Sequence, residues 1–172
     1  RPTTTKTRII AHYHQHHQQI ARLDRESRID IHADQTSRLL EKVTHMLPNI
    51  DGIILEDYGK GVVTGDLVQQ LVSLAKQSHK IVAVDPKTNH FARYTGVSIL
   101  TPNHHEAGAS LHRTIDSHQE LLLAGKQLLE KLHSEYVLIT RGKEGMSLFE
   151  QQNRLVTHVP TMAQEVFDVT GA

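Results

Sequence analysis

Two rhythms of apolar and polar residues divide this chain. In its first part, Thr7-Arg8-Ile9-Ile10-Ala11-His12 and Ile20-Ala21-Arg22-Leu23-Asp24 read as short strands, the second alternating apolar and charged side chains at period two. One-sided strands of this kind predict a small flap sheet with one polar face. From Asp34 the spacing becomes helical. Leu39, Leu40, Val43, Met46 and Leu47 mark one helix that stops at Pro48, and Leu67, Val68, Leu71, Val72, Leu74 and Ala75 mark a second. A third opens at Ser117 with Glu120 three residues on, the signature of a capping box, and is lined by Leu121, Leu122, Leu128, Leu129 and Leu132. Between the helices lie short, continuously apolar runs at Gly52–Leu55, Lys80–Val84, Val97–Leu100 and Tyr136–Ile139. Met146–Phe149 reads as a hairpin partner for the last of these.

Strands that are apolar on both faces and alternate with helices indicate a mostly parallel sheet with both faces covered. The fold class expected is therefore α/β, a doubly wound sheet flanked by helices, with a small β lid formed by residues 1–28. Hydrophobic residues make up 38% of the 172 positions, which allows one ordinary domain with a lean core. Nineteen basic residues balance nineteen acidic ones, which removes any whole-chain argument for nucleic-acid or membrane-surface binding. The absence of cysteine excludes a disulfide scaffold, a thiolate metal site and a cysteine nucleophile. With no signal-peptide core in the first twenty residues, the expectation is a soluble cytoplasmic protein.

In open α/β sheets, ligands bind at the carboxyl ends of the strands. Here those ends are polar and glycine-rich: Glu56-Asp57-Tyr58-Gly59-Lys60-Gly61, Asp85-Pro86-Lys87, Thr101-Pro102-Asn103-His104-His105-Glu106, and Thr140-Arg141-Gly142-Lys143-Glu144-Gly145. Taken singly, each has a plainer reading as a strand stop, a turn or a solvated loop charge. Four in succession on one rim point to phosphate handling, because glycines allow close backbone approach and backbone N–H groups bind anions. Asn103 and Glu106, at i and i+3, would share one face of the helix they open and suit a hydrated Mg²⁺. Neither GxxxxGK[ST] nor GxGxxG occurs, so P-loop and Rossmann chemistry are not supported.

Together, Asp57-Tyr58-Gly59-Lys60-Gly61, Asp85-Pro86-Lys87, Thr101-Pro102-Asn103-x-x-Glu106, Thr140-Arg141-Gly142-x-x-Gly145-Met146 and Asp168-x-Thr170-Gly171-Ala172 resemble the ribokinase-like (PfkB) carbohydrate kinases. Within that family, Pro2–Arg8, Gln18–Asp24 and Gln164–Ala172 are similar to the branch that phosphorylates D-glycero-β-D-manno-heptose 7-phosphate at its anomeric hydroxyl, often fused to an adenylyltransferase. The resemblance implies ATP and Mg²⁺ as cofactors. Asn103, His104, His105, Glu106, Thr140, Arg141, Gly142 and Gly145 would lie on the nucleotide side, with Asn103 and Glu106 placing the metal through water. Lys6 and Arg8 would close the lid over the sugar phosphate, while Asp57, Lys60 and Lys87 line the cleft. Thr170, Gly171 and Ala172 would begin the anion hole, and pairing of lids implies a homodimer.

In such kinases the anion hole continues as Gly-Asp, and that Asp is the general base. Residues 1–172 therefore read as the central part of a single kinase domain, truncated at both ends, with 1–28 as lid strands and 29–172 as the α/β core. Two alternatives stay open: another sugar kinase of the ribokinase or fructokinase type, and a non-catalytic, histidine-rich remnant of the fold. His12, His14 and His16 are spaced to share one face of a single strand, where imidazoles would suit Zn, Cu or Ni. The plainer reading is a glutamine-rich flap segment, since Gln15, Gln18 and Gln19 lie in the same stretch. Loss of a general base alone typically costs about 10²–10⁴-fold. The 172 residues by themselves are thus expected to show no turnover, and robust heptose-phosphate-dependent ADP release would contradict this.

Overall fold

The computed structural model describes residues 3–13 and 16–162. A long antiparallel ribbon comes first: β1 (Thr5–Tyr13) pairs with β2 (His16–Arg25). Its register slips between Ile9 and Ile10, so that Ile9 faces Ala21 and Ile10 faces Gln19, leaving Ile20 as a bulge. Before the slip the ribbon has two chemically distinct faces. Lys6, Arg8, Arg22 and Asp24 lie on one; Thr7, Ile9, Ala21 and Leu23 lie on the other. The expected one-sided flap is present, but the expected histidine face is not. The chain reverses between Tyr13 and His16, and His12 pairs across the ribbon with His17. His12 and His16 thus stand on opposite strands; His14 lies outside the described residues. Among the described residues no group of three metal-ligating side chains forms.

The rest is an α/β unit with strand order β3-β4-β5-β6-β7-β8: β3 (Gly52–Glu56), β4 (Ile81–Asp85), β5 (Ile99–Leu100), β6 (Tyr136–Thr140), β7 (Met146–Glu150) and β8 (Val156–Val159). The pairs from β3 to β6 are parallel, and β7 pairs antiparallel with both β6 and β8. Helix α1 (Ala33–Met46) precedes β3, α2 (Gly65–Gln77) joins β3 to β4, and α3 (His104–Ser110) and α4 (His118–Leu132) join β5 to β6. The Ser117–Glu120 capping box forms as read, and Thr64 caps α2 by accepting from the Leu67 N–H at 3.2 Å. A 3₁₀ run at Thr88–Tyr94 and strand β8 were not anticipated.

Cover on both faces of the sheet was expected; among the described residues the helices lie on one. Val82, Val84, Leu100, Val137, Ile139 and Phe149 are buried and share one face by register, under α2 and α4. On the other face Ile54 is 76% and Ile81 58% exposed. The cause is topological. Crossovers between parallel strands are right-handed, so strands added successively in one direction set every connecting helix on the same side. The α1 stripe is also shallower than its spacing implied. Thr36 is its buried residue, and Met46 is exposed. Among the described residues no helix is long and apolar enough to cross a membrane.

Gly125 permits a close contact between α4 and the Phe149 ring of β7. A Cβ there would lie 2.3 Å from the Phe149 ring. Replacing a helical glycine by alanine ordinarily stabilises by up to about 1 kcal/mol, but overpacking costs about 1–3 kcal/mol, so the clash should win. Gly125→Ala is expected to lower the urea midpoint, and a raised midpoint would show that Phe149 moves aside freely.

Candidate active site

The strand order brings all four parallel strand ends to one rim, and there two separate pockets form. At the β3 and β4 ends, Arg28, Asp30, Tyr58, Gly59, Lys60, Gly61, Lys87, Asn89, His90 and Arg93 line a pocket of about 390 Å³. The sequence motifs had placed Tyr58, Gly59, Lys60, Gly61 and Lys87 on this rim, with Lys60 and Lys87 as site residues, but not Arg28, Asp30, Asn89, His90 or Arg93. Arg28 sits in the connection from lid to core; Asn89, His90 and Arg93 come from the unanticipated 3₁₀ run. The sole local signal for the 3₁₀ residues was the apolar pair Phe91 and Tyr94, both buried, which leaves the flanking polar residues on the outside.

Beneath this pocket lies Asp57, with a side chain only 1% exposed. It sits under the cleft floor with a fully engaged carboxylate. Oδ2 accepts from the Tyr94 hydroxyl at 2.6 Å and from His90 Nδ1 at 2.7 Å; Oδ1 accepts from the Gly59 N–H at 2.7 Å. The Tyr94 oxygen in turn accepts from the Lys87 N–H at 3.0 Å, and the Asp57 N–H donates to Asp85 O at 3.1 Å. Burial is the largest single influence on the Asp57 carboxyl and would raise its pKa, but the bonds from Tyr94, His90 and Gly59 together outweigh it and hold the group below its ordinary value. Tyr94 is pushed well above the phenol range by burial and by its bond to Asp57. Asp85, at the neighbouring strand end, is raised by burial and by the charge of Glu56.

The ribbon is fastened to the same loop. Gly61 takes φ +76°, and a Cβ there would meet the Ile29 carbonyl at 2.1 Å; the Ile31 N–H donates to Gly61 O at 2.8 Å. Lys60 ion-pairs with Glu26, which also meets Arg28 at 3.2 Å; the Lys60 contact, ahead of Arg28, holds the Glu26 carboxyl below its ordinary value despite desolvation. Lys6 lies over the Tyr58 ring at 5.9 Å, so the charged face of the ribbon is the one turned to the site; Arg8 shares that face one pair further along.

The second pocket, about 340 Å³, is lined by His104, Ile115, Asp116, Ser117, His118, Leu121, Arg141 and Glu144 at the ends of β5 and β6. Asn103 and Thr140 form a parallel bridge, and the Thr140 N–H donates to Pro102 O at 3.0 Å, which joins the two motifs. Asn103 and Glu106 do face one another, as a reciprocal capping box. Asn103 Oδ1 accepts from the Glu106 N–H at 2.9 Å, and Glu106 Oε2 accepts from the Asn103 N–H at 3.0 Å. Gly142 and Gly145 both adopt positive φ around a 3₁₀ turn, with Arg141 paired to Glu144 at 2.8 Å. His105 is exposed and stacks on His104 at 3.8 Å. Among the described residues, His104 Nδ1 and Arg141 Nε are buried polar atoms without a hydrogen-bond partner in the protein. Thr170, Gly171 and Ala172 lie outside the described residues.

Residues 32–172 match the pfkB family of carbohydrate kinases, and the chain belongs to that family. Over all 172 residues it is 41% identical to the bifunctional protein HldE of Helicobacter pylori, of which it spans 36%, and 41% identical to that of Syntrophotalea carbinolica, of which it spans 34%. Arabidopsis thaliana ribokinase complexed with ribose and ATP superposes with a TM-score of 0.62 at 17% identity, covering 90% of this chain and 48% of that one. Escherichia coli phosphofructokinase-2 in complex with substrates and products gives 0.58 at 17% identity, covering 78% and 44%. These two share the fold.

Because the Asp57 pKa is lowered by folding, its contribution to stability is present above the unfolded carboxylate value near 4 and is lost as pH falls through the lower folded value. Asp57→Asn replaces one accepting oxygen by an N–H₂, which meets either the Gly59 N–H or the Tyr94 and His90 donors, and should cost about 2–3 kcal/mol at pH 7, measured by urea unfolding. The acid limb below about pH 4 should also be shallower than in the wild type. Equal stability at pH 7 would show that the carboxylate is not the anchor described here.

Proposed function

We propose that the chain contributes the lid and both substrate-facing rims of an ATP-dependent sugar-phosphate kinase. The observation that carries this reading is the pocket at the β3 and β4 ends. In a carbohydrate-kinase family member, Arg28, Lys60, Lys87 and Arg93 converge there, against Asp30 in the lining and Glu26 at the edge. Four cations exceed what a neutral sugar needs and suit a phosphate dianion, with charge-assisted bonds that are about twice as strong as neutral ones. Glu26, held by Lys60 and Arg28, occupies the position of an internal counter-ion at its edge.

The substrate we assign is D-glycero-β-D-manno-heptose 7-phosphate, on the strength of the lid and carboxyl-terminal motifs that resemble that branch of the family. ATP would sit at the β5 and β6 ends, where Gly142 and Gly145 allow close backbone approach and His104 and Arg141 hold polar atoms without protein partners. The anomeric oxygen attacks the γ-phosphorus, its proton passes to a general base, and the bond to the β,γ-bridging oxygen breaks to release ADP and the 1,7-bisphosphate. Residues 170–172 would open the anion hole that receives the transferred group. Mg²⁺ fits as an ion carried largely by phosphate and water: Glu106 offers one carboxylate, and one of its oxygens already serves the capping box. When bound, the ion neutralises charge building on the phosphoryl oxygens.

We further assign the other ribbon face, with Ile9 45% and Leu23 60% exposed, to pairing with a second copy of the chain. A fused adenylyltransferase accords with the bifunctional name of the relatives.

Calorimetric titration of the chain separates the two pockets. Heptose 7-phosphate should bind, and Lys87→Ala should weaken it about tenfold or more, the scale of one charge-assisted bond. ATP affinity should be unchanged by that variant. Equal affinity for the unphosphorylated heptose, or preference for fructose 6-phosphate, would contradict the substrate assignment.

A further inference from the structure

We infer that Tyr94 and His90 are positioning residues for anion binding. Acting through the Asp57 carboxylate, they lock the loops carrying Lys60 and Lys87 into one pocket floor. This rests on the proposal that the pocket takes the phosphate of the substrate.

The two lysines belong to loops that leave different strands and have no covalent reason to keep a fixed spacing. Backbone pairing between them ends at the Asp57 N–H to Asp85 O bond, just where the loops begin. Beyond that point the Tyr94 hydroxyl ties them together. It donates to Asp57, whose other oxygen fixes the Gly59 N–H beside Lys60, and it accepts from the N–H of Lys87 itself. His90 supplies the remaining donor to the same carboxylate oxygen. Tyr94 is 0% exposed, so it touches no ligand, and whatever it does for binding passes through these bonds. Its ring packs edge-on against Phe91 at 6.2 Å, a contact phenylalanine would keep. The hydroxyl therefore adds nothing to packing, and in the core it would be a cost without its two partners. What it adds is a defined distance between two cations. Two cations grip one phosphate best when held rigidly at the right spacing, and an error of about 1 Å in a positioned group is expensive.

The test uses the chain itself and inorganic phosphate at pH 8, followed through backbone amide shifts. The wild type should show saturable binding at Gly59, Lys60 and Lys87, and Lys87→Ala should weaken it. Tyr94→Phe should weaken it about fivefold and displace the Lys87 amide, while leaving core amides such as Val137 in place. His90→Ala should also weaken binding, and His90→Asn, whose Nδ2 stands where the imidazole Nδ1 does, should restore it by returning a side-chain N–H to Asp57. A purely structural role for Tyr94 would lower stability without moving phosphate affinity. Wild-type affinity in Tyr94→Phe, alongside weakened binding in Lys87→Ala, would overturn the inference and leave the pocket reading intact. No saturable binding by the wild type, or none lost in Lys87→Ala, would overturn the pocket reading and this inference with it. Should Tyr94→Phe not fold, the histidine pair decides alone: His90→Ala binding as tightly as wild type overturns the inference.

Discussion

Asp57 carries a charge that has been taken almost wholly out of water, and a buried carboxylate is tolerated only when its oxygens are bonded. Three donors meet that demand here, and they come from a tyrosine of the core, a histidine of the pocket wall and the backbone of the next turn. Each bond fixes a different part of the rim. The Gly59 bond shapes the turn that presents Lys60, the Tyr94 bond reaches on to the Lys87 backbone, and the His90 bond holds the 3₁₀ run that presents Asn89 and Arg93. A single desolvated charge thus sets the relative positions of cations supplied by separate stretches of chain. Its low pKa keeps it ionised at neutral pH, which is the condition for it to accept from all three at once.

The architecture divides the remaining work along the rim. Successive addition of β3 to β6 in one direction sets the strand ends in order, so the cationic pocket falls at one end and the glycine turn of Gly142–Gly145 at the other. The ribbon adds a chemical asymmetry of its own. Its charged face reaches Tyr58 through Lys6, and its apolar face looks outward. The bulge at Ile20 lets β2 carry two consecutive apolar residues, Ile20 and Ala21, without flipping the whole pattern, since a bulge resets the alternation of the strand that holds it.

Much of this was legible in the sequence, and what was missed has identifiable causes. Period-two spacing located the ribbon, helical spacing the first, second and fourth helices, and short continuous apolar runs the parallel strands. The Asn103-x-x-Glu106 motif read as a metal-facing pair, and the structure adds that the same spacing is a capping box, so local helix chemistry accounts for both residue types at once. Arg28, His90 and Arg93 were invisible because no periodicity marks an irregular connection or a 3₁₀ run. They become neighbours only when Tyr94 is drawn into the core to meet Asp57. The open sheet face was unexpected for a similar reason. Apolar residues such as Ile54 and Ile81 indicate that a face wants cover, but the direction of strand addition, which no local pattern encodes, decides which side the helices take.

The central claim is that the cations gathered over Asp57 receive the phosphate of a phosphorylated sugar. A crystal structure of the chain soaked with D-glycero-β-D-manno-heptose 7-phosphate tests it most directly. The account predicts the phosphate seated among Arg28, Lys60, Lys87 and Arg93, within about 3 Å of at least two of their nitrogens, with the Glu26 contacts to Lys60 and Arg28 loosened. Heptose phosphate bound with its phosphate at the Gly142–Gly145 turn instead, and the cationic pocket still closed by Glu26, would contradict it.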